Sequence, residues 1–105
     1  MKVLFDQGTP VPLRSYLMGH TVFTVYEKGW STLKNGDLIS LAESEAFEVF
    51  VTTDGNLKYQ QNLAGRRMAI VVLLSTSWPK IKTRTAEIAA LISGVVPGSY
   101  NEFSF

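Results

Sequence analysis

The three aspartates of the chain are candidate functional residues, because each lies where a predicted strand or helix begins or ends. Asp6 ends the apolar run KVLF, Asp54 follows the run VFVTT, and Asp37 opens the helical stretch DLISLA. In a parallel α/β sheet the carboxyl ends of the strands share one edge, and ligands bind along that edge. We therefore expect the three carboxylates to crowd this edge, where a divalent cation would offset their mutual repulsion.

Mg²⁺ or Mn²⁺ is the cation that these ligands predict, because both prefer hard oxygen ligands and leave positions open for phosphate oxygens. Aspartate is also favoured at helix N-caps and turns, so each of the three has a purely structural alternative. Glu27 follows the second predicted strand and is a fourth carboxylate within reach of the same edge. Its alternative is an ordinary solvated turn residue.

Polar and basic residues follow Asp54 in the stretch GNLKYQQNLAGRR. Arginine and lysine suit phosphates, while amide side chains bond to unpaired bases. We expect four residues here to contact nucleic acid, with a polar connecting helix as the alternative: Asn56, Lys58, Arg66 and Arg67. The chain has one histidine and no cysteine, which leaves a nucleophilic triad and a thiolate metal site without support.

Length and composition predict one globular domain over residues 1–105. Hydrophobic residues make up 46% of the chain and charged residues 18%, and the net charge of +1 argues neither for nor against nucleic acid. No stretch reaches the roughly 20 apolar residues of a membrane span, so no membrane partner is expected. The missing cysteines fit a reducing compartment, and we expect the cytoplasm.

Strand-like and helix-like stretches alternate along the chain. Strands are predicted at residues 2–5, 21–25, 49–53 and 68–74, with an edge strand near 99–103, and helices at 10–18, 37–46, 57–64 and 77–93. The run MAIVVLL is apolar on both faces, which is typical of a central parallel strand. The pattern predicts an α/β fold in which a mainly parallel sheet of four to five strands is covered on both faces.

The segments KVLFDQGTPVPLRSYL, KNGDLISLAESEAFEVFVTTDGNLKYQQNLAGRR and MAIVVLL together resemble the short PIN-like predicted nucleases of bacterial and archaeal genomes. The resemblance covers nearly the whole chain, and its most specific part is DLISLA, then a strand, then TTD. It implies a single-domain PIN-like three-layer sandwich and Mg²⁺- or Mn²⁺-dependent endoribonuclease activity. By position, Asp6, Asp37 and Asp54 match the catalytic and metal-binding aspartates of the family. Glu27 is the nearest match to a further glutamate, although the helical insertion expected before Asp37 is missing.

Members of this family often occur in toxin–antitoxin operons, so the resemblance implies a toxin with an RNA substrate and a small antitoxin protein as partner. A homodimer is a further expectation. Two other classes stay open. One is a phospho-accepting receiver-like domain with Asp54 as acceptor, for which the spacing of Ser75, Thr76 and Lys80 does not fit. The other is a catalytically degenerate PIN-like module that only binds a partner.

Overall fold

A parallel sheet organises the chain in the computed structural model, which describes residues 1–60 and 63–105. Over these residues it has five strands in the order β2-β1-β3-β4-β5, and every neighbouring pair is parallel. The strands are β1 (Lys2–Phe5), β2 (Thr21–Thr24), β3 (Val49–Thr52), β4 (Ala69–Leu73) and β5 (Tyr100–Phe103). The predicted α/β class, with its mainly parallel sheet, is confirmed.

Both faces of the sheet are covered, because successive residues of a strand point to opposite faces and all residues of β3 and β4 are apolar or buried. One face packs against α1 (Asn35–Ser44) and the start of α2 (Leu57–Gln60), which bury Leu38, Ile39 and Leu57. The other face packs against a 3-10 helix (Val11–Tyr16), α3 (Trp78–Lys82) and α4 (Thr85–Ser93). The result is the three-layer sandwich that the alternating pattern predicts.

The helices differ from the sequence prediction in three places. The first is a 3-10 helix in which Leu13 is buried while Val11 is 52% exposed. Of the helix predicted over 57–64, Leu57–Gln60 is helical, positions 61–62 lie outside the described residues, and 63–65 are a loop and turn. The long helix predicted from Ser77 is two helices, and the Thr83 hydroxyl donates to the carbonyl of Lys80 at the end of α3.

The order of the strands creates a switch point between β1 and β3. The chain leaves β1 toward β2 on one side, and later returns through β3 on the other side. Connections that diverge in this way leave a crevice outside the carboxyl ends of the two strands, where open α/β sheets bind their ligands. Asp6 follows β1 directly, and Asp54 lies two residues beyond β3. Among the helices that the structure describes, none combines the length and apolarity needed to cross a membrane.

Candidate functional site

Asp6 is held at the switch point by a threonine of the neighbouring strand. The amide of Asp6 donates to the carbonyl of Val51 (2.9 Å), which continues the ladder between β1 and β3. The hydroxyl of Thr52 donates to Asp6 Oδ2 (2.8 Å), and the same hydroxyl oxygen accepts the amide of Asp54 (3.1 Å). Thr52 is fully buried. One buried hydroxyl therefore orients the Asp6 carboxylate and joins it to the backbone of Asp54.

Asp54 forms an Asx turn at the end of β3. Its Oδ1 accepts the amide of Asn56 (3.0 Å), and its backbone carbonyl accepts the amide of Leu57 (3.2 Å). The Asp54 carboxylate thus accepts a backbone amide of its own turn, which is the purely structural role that an aspartate can have at this position. Its other carboxylate oxygen makes no hydrogen bond with any residue that the structure describes.

Asp37 lies in the first turn of α1 and is exposed. The last turn of this helix is near the amino ends of the strands, since the Glu45 carbonyl accepts the Lys2 ammonium (2.7 Å). The first turn therefore points toward the carboxyl edge, where the helix macrodipole favours a negative charge. No hydrogen bond joins Asp37 to Asp6 or Asp54.

The predicted crowding of all three aspartates is not found. Within residues 1–60 and 63–105, no three Asp, Glu, His or Cys side chains come close enough together to form a metal-binding group. The structure instead pairs Asp6 with Asp54 through Thr52 and leaves Asp37 apart. Asp37 lies on α1, in the layer beside the sheet that carries the other two, and a shared metal site stays a prediction.

The aspartates differ from the glutamates in their charged partners. Most glutamates form ion pairs at about 3 Å or less with lysine or arginine, as the pairs Glu27–Arg14, Glu43–Arg66, Glu45–Lys28, Glu87–Arg84 and Glu102–Lys58 show. Among the described residues, no aspartate has a lysine or arginine partner. Within the described residues, the charges of Asp6 and Asp54 are therefore offset by hydrogen bonds from Thr52 and from backbone amides rather than by ion pairs.

A cavity of about 410 Å³ opens beside Asp6, between the ends of β1 and β2. Its walls include Asp6, Thr9, Val11, Arg14, Tyr26 and Glu27. The volume falls in the range of roughly 300–1,000 Å³ that small-ligand sites occupy. The sheet edge thus presents an acidic group next to a space large enough for part of a ligand.

Glu27 lines this cavity, but its carboxylate is hydrogen-bonded to Thr24 and Arg14. Its Oε1 accepts the amide of Thr24 (2.9 Å), while the Thr24 hydroxyl accepts the amide of Glu27 (3.0 Å), which is the reciprocal pattern of a capping box. Both carboxylate oxygens also accept from the Arg14 guanidinium, at 2.9 and 3.1 Å. Hydrogen bonds from Arg14 and from the Thr24 backbone hold the pKa of Glu27 below its ordinary value. Glu27 therefore shapes the edge, and its role at a metal, which the Arg14 ion pair would oppose, stays a prediction.

Arg66 and Arg67 lie at the wrong end of the sheet for the predicted contact with substrate beside Asp54. They precede β4, whose first residue pairs with the first residue of β3, and so they sit at the amino edge. Arg66 pairs with Glu43 (3.0 Å), and Glu43 also accepts the amide of Arg67 (2.6 Å). The prediction assumed that residues close in sequence to Asp54 stay beside it, whereas the chain crosses the whole sheet between them.

A larger cavity, of about 600 Å³, lies at this amino edge. Met1, Phe47, Glu48, Arg67 and Pro97 are part of its lining, and it contains none of the aspartates. Size alone would select this cavity, but it lies at the edge opposite the switch point, where open α/β sheets bind their ligands. We therefore place the candidate site at the smaller cavity.

Asn56 and Lys58 do lie at the carboxyl edge. Asn56 is exposed in the turn after Asp54, and Lys58, in α2, pairs with Glu102 of β5 (3.0 Å). Sequence reasoning missed Lys34, an exposed lysine at the N-cap of α1. Like the exposed Lys80 and Lys82 of α3, it forms no ion pair among the described residues. Because α1 and α3 cover opposite faces, these lysines flank the edge on both sides. Thr52 and Arg14 were also missed, although a threonine ending a buried strand is a signal that could have been read.

Comparison of the chain with protein-family models, with curated proteins and with solved structures gave no match. The class of the protein therefore rests on its own geometry. It is a doubly wound α/β domain with carboxylates at the switch point of a parallel sheet.

Proposed function

We propose that this protein is a metal-dependent ribonuclease that hydrolyses RNA phosphodiester bonds at the carboxyl edge of its sheet. The observation that carries the proposal is the pairing of Asp6 and Asp54 through Thr52, on two adjacent strands, with no lysine or arginine partner for either among the described residues. The resemblance of the sequence to PIN-like nucleases supports the same chemistry.

The residues at the edge fit Mg²⁺ or Mn²⁺ by their donor chemistry. Mg²⁺ is commonly held by one or two carboxylates together with waters and substrate phosphates, so a cage of three carboxylates is unnecessary. Asp6 and Asp54 would hold the ion, since each carboxylate retains lone pairs beyond its hydrogen bonds. When bound, such an ion polarises a phosphoryl oxygen and acidifies a bound water.

The protein's own residues supply the remaining functions. Thr52 fixes the orientation of Asp6. Asp37, apart from the pair but at the same end of the sheet, would accept a proton from the attacking water. Lys34 and Lys80 would hold the phosphates on either side of the scissile bond, because neither is neutralised by a described carboxylate. Glu27 keeps Arg14 in place and so preserves the wall of the cavity.

Cleavage of a short single-stranded RNA with a fluorophore and a quencher at its ends tests the proposal. Wild-type protein should cleave with Mn²⁺ and not with EDTA, and Asp6→Asn should reduce the rate by at least tenfold. Glu87→Gln is the matched control, since Glu87 contacts only Arg84 on α4 and should leave the rate unchanged. Equal cleavage by wild type and Asp6→Asn, or none by the wild type with either metal, would refute the proposal.

The toxin role is a finer part of the proposal and comes from the resemblance alone. Induced expression should arrest growth of a bacterial host if the enzyme cuts cellular RNA. Asp6→Asn should relieve the arrest while the protein accumulates to the same level. Arrest that persists with Asp6→Asn would separate toxicity from the nuclease.

A phospho-accepting module is the second candidate, because the strand order β2-β1-β3-β4-β5 is the flavodoxin-like order. Asp54, at the end of the third strand, would be the acceptor. Against it, the spacing of Ser75, Thr76 and Lys80 after β4 does not fit a phospho-accepting domain. Incubation with a small phosphoryl donor and Mg²⁺, followed by intact-mass measurement, decides between them: a mass gain of one phosphoryl group that Asp54→Asn removes would favour the acceptor.

A further inference from the structure

Tyr26 has the most exposed aromatic ring among the residues whose side chains the structure describes. It is 79% exposed, against 42% for Tyr16 and 38% for Phe105. Water contact with so much of an aromatic ring is unfavourable, so a ring kept in this position suggests a partner. Tyr26 lies on the wall of the cavity that contains Asp6.

The backbone presents Tyr26 in one orientation. The residue sits inside the capping box formed by Thr24 and Glu27, whose reciprocal hydrogen bonds measure 2.9 and 3.0 Å. The carbonyl of Tyr26 also accepts the amide of Gly29 (3.0 Å), whose φ of +74° makes the sharp turn. Little backbone entropy would be lost if a ligand stacked on a ring that is held in this way.

The cavity is suited to a flat, neutral group. Each terminal nitrogen of Arg14 contacts one oxygen of Glu27, so the positive charge that lines the cavity is offset by a carboxylate and attracts a phosphate less strongly. Val11, 52% exposed, adds an apolar surface, and the Gln7 side chain adds an amide that can both donate and accept hydrogen bonds. A nucleobase has this combination of an apolar face and a polar edge.

We propose that this cavity binds the base of an unpaired nucleotide, stacked on Tyr26, beside the phosphate that lies at Asp6. The inference rests on the proposed function and gives it a substrate class. A base within a duplex has both faces covered by its neighbours and cannot stack on Tyr26, so the site selects single-stranded RNA.

Fluorescence anisotropy with a short single-stranded RNA, in Ca²⁺ in place of Mg²⁺, measures the contact without requiring cleavage. Tyr26→Ala should weaken binding by about tenfold, or about 1.4 kcal/mol. Tyr26→Trp should restore binding, because indole also stacks. Tyr16→Ala is the matched control and should bind as the wild type does. Unchanged melting temperatures for Tyr26→Ala would show that its loss is not a folding defect.

An abasic nucleic-acid strand of the same length distinguishes the loss of base stacking from a general effect of Tyr26→Ala on the protein. On this strand Tyr26→Ala and the wild type should bind equally, since there is nothing to stack. Equal binding of normal RNA by both proteins, or an equal loss on both strands, would overturn the inference. If Tyr26 contributes to binding but no metal supports cleavage, the base site stands and the nuclease proposal fails. If the wild type cleaves RNA and Tyr26 makes no difference, the reverse holds.

Discussion

Thr52→Val is the substitution that best distinguishes the contribution of the Thr52 hydroxyl to the candidate site from its contribution to packing. Valine fills nearly the same volume as threonine, so packing in the buried β3 changes little. What disappears is the hydrogen bond to the Asp6 carboxylate (2.8 Å) and the acceptor for the Asp54 amide (3.1 Å). The first is a bond to an ionised group, and such bonds contribute about 1.5–3 kcal/mol.

We expect Thr52→Val to lower the free energy of unfolding by roughly 2 kcal/mol, and the melting temperature by roughly 10 °C for a domain of this size. Thr9→Val is the matched control. Thr9 is also buried, but its hydroxyl donates to the neutral carbonyl of Val51 (2.9 Å), so the loss should be nearer 1 kcal/mol. Urea denaturation of the two variants and the wild type gives both values.

The same substitution should also act on metal binding. An Asp6 carboxylate that has lost its orienting donor should bind Mn²⁺ about 10–100-fold more weakly, whereas Thr9→Val should bind as the wild type does. Thr52→Ser keeps the hydroxyl and should recover most of the affinity. If Thr52→Val is no less stable than Thr9→Val and binds Mn²⁺ with unchanged affinity, Thr52 does not organise the site as we argue.

Three further predictions concern the surroundings of the site. Glu27→Gln should lower the free energy of unfolding at pH 7, and this loss should shrink as the pH falls below 4.5, the ordinary pKa of a glutamate. A carboxyl whose pKa is lowered in the folded state stabilises the fold above that pH and loses this contribution when it is protonated. A loss, measured by urea denaturation, that stays constant down to about pH 2 would contradict this. Lys34→Ala and Lys80→Ala should each reduce the salt dependence of RNA binding by about 0.7 in the slope of log K against log salt, while Arg67→Ala, at the opposite edge, should leave it unchanged. Gly8→Ala should destabilise the fold, because the new Cβ would lie 2.5 Å from the Thr53 hydroxyl oxygen. Thr53→Ala in the same chain should recover most of the lost stability, and additive effects of the two substitutions in a double-mutant cycle would disprove this contact.

The sheet could be predicted from sequence because its signals are local. Runs such as VFVTT and MAIVVLL are apolar on both faces, and this alone indicates strands in the middle of a parallel sheet. The alternation with helices then fixes the class of fold. The break between α3 and α4 escaped prediction because the isoleucine spacing continues through it: Ile81, Ile88 and Ile92 all face one core. Hydrophobic periodicity does not reveal an interruption of the helix between two residues of the same core.

The site was only partly predictable, because the position of its members depends on which strands are neighbours. Asp6 and Asp54 were placed correctly, since both follow strands that proved to be adjacent. Arg66 was misplaced because its partner, Glu43, lies 23 residues earlier, on α1, and no local pattern indicates that pair. The role of Glu27 was equally hard to predict, since its bond to Arg14 joins the 3-10 helix to the turn after β2.

Titration calorimetry with Mn²⁺ on the wild type and three aspartate variants tests the central claim most directly. We predict that the wild type and Asp37→Asn bind Mn²⁺ with similar affinity, because Asp37 stands apart from the pair. Asp6→Asn and Asp54→Asn should lose binding, since each removes one of the two carboxylates joined by Thr52. Asp37→Asn should nevertheless cleave RNA about 100-fold more slowly, as expected for loss of a general base. Equal Mn²⁺ binding by all four proteins would contradict a metal site at the switch point of the sheet.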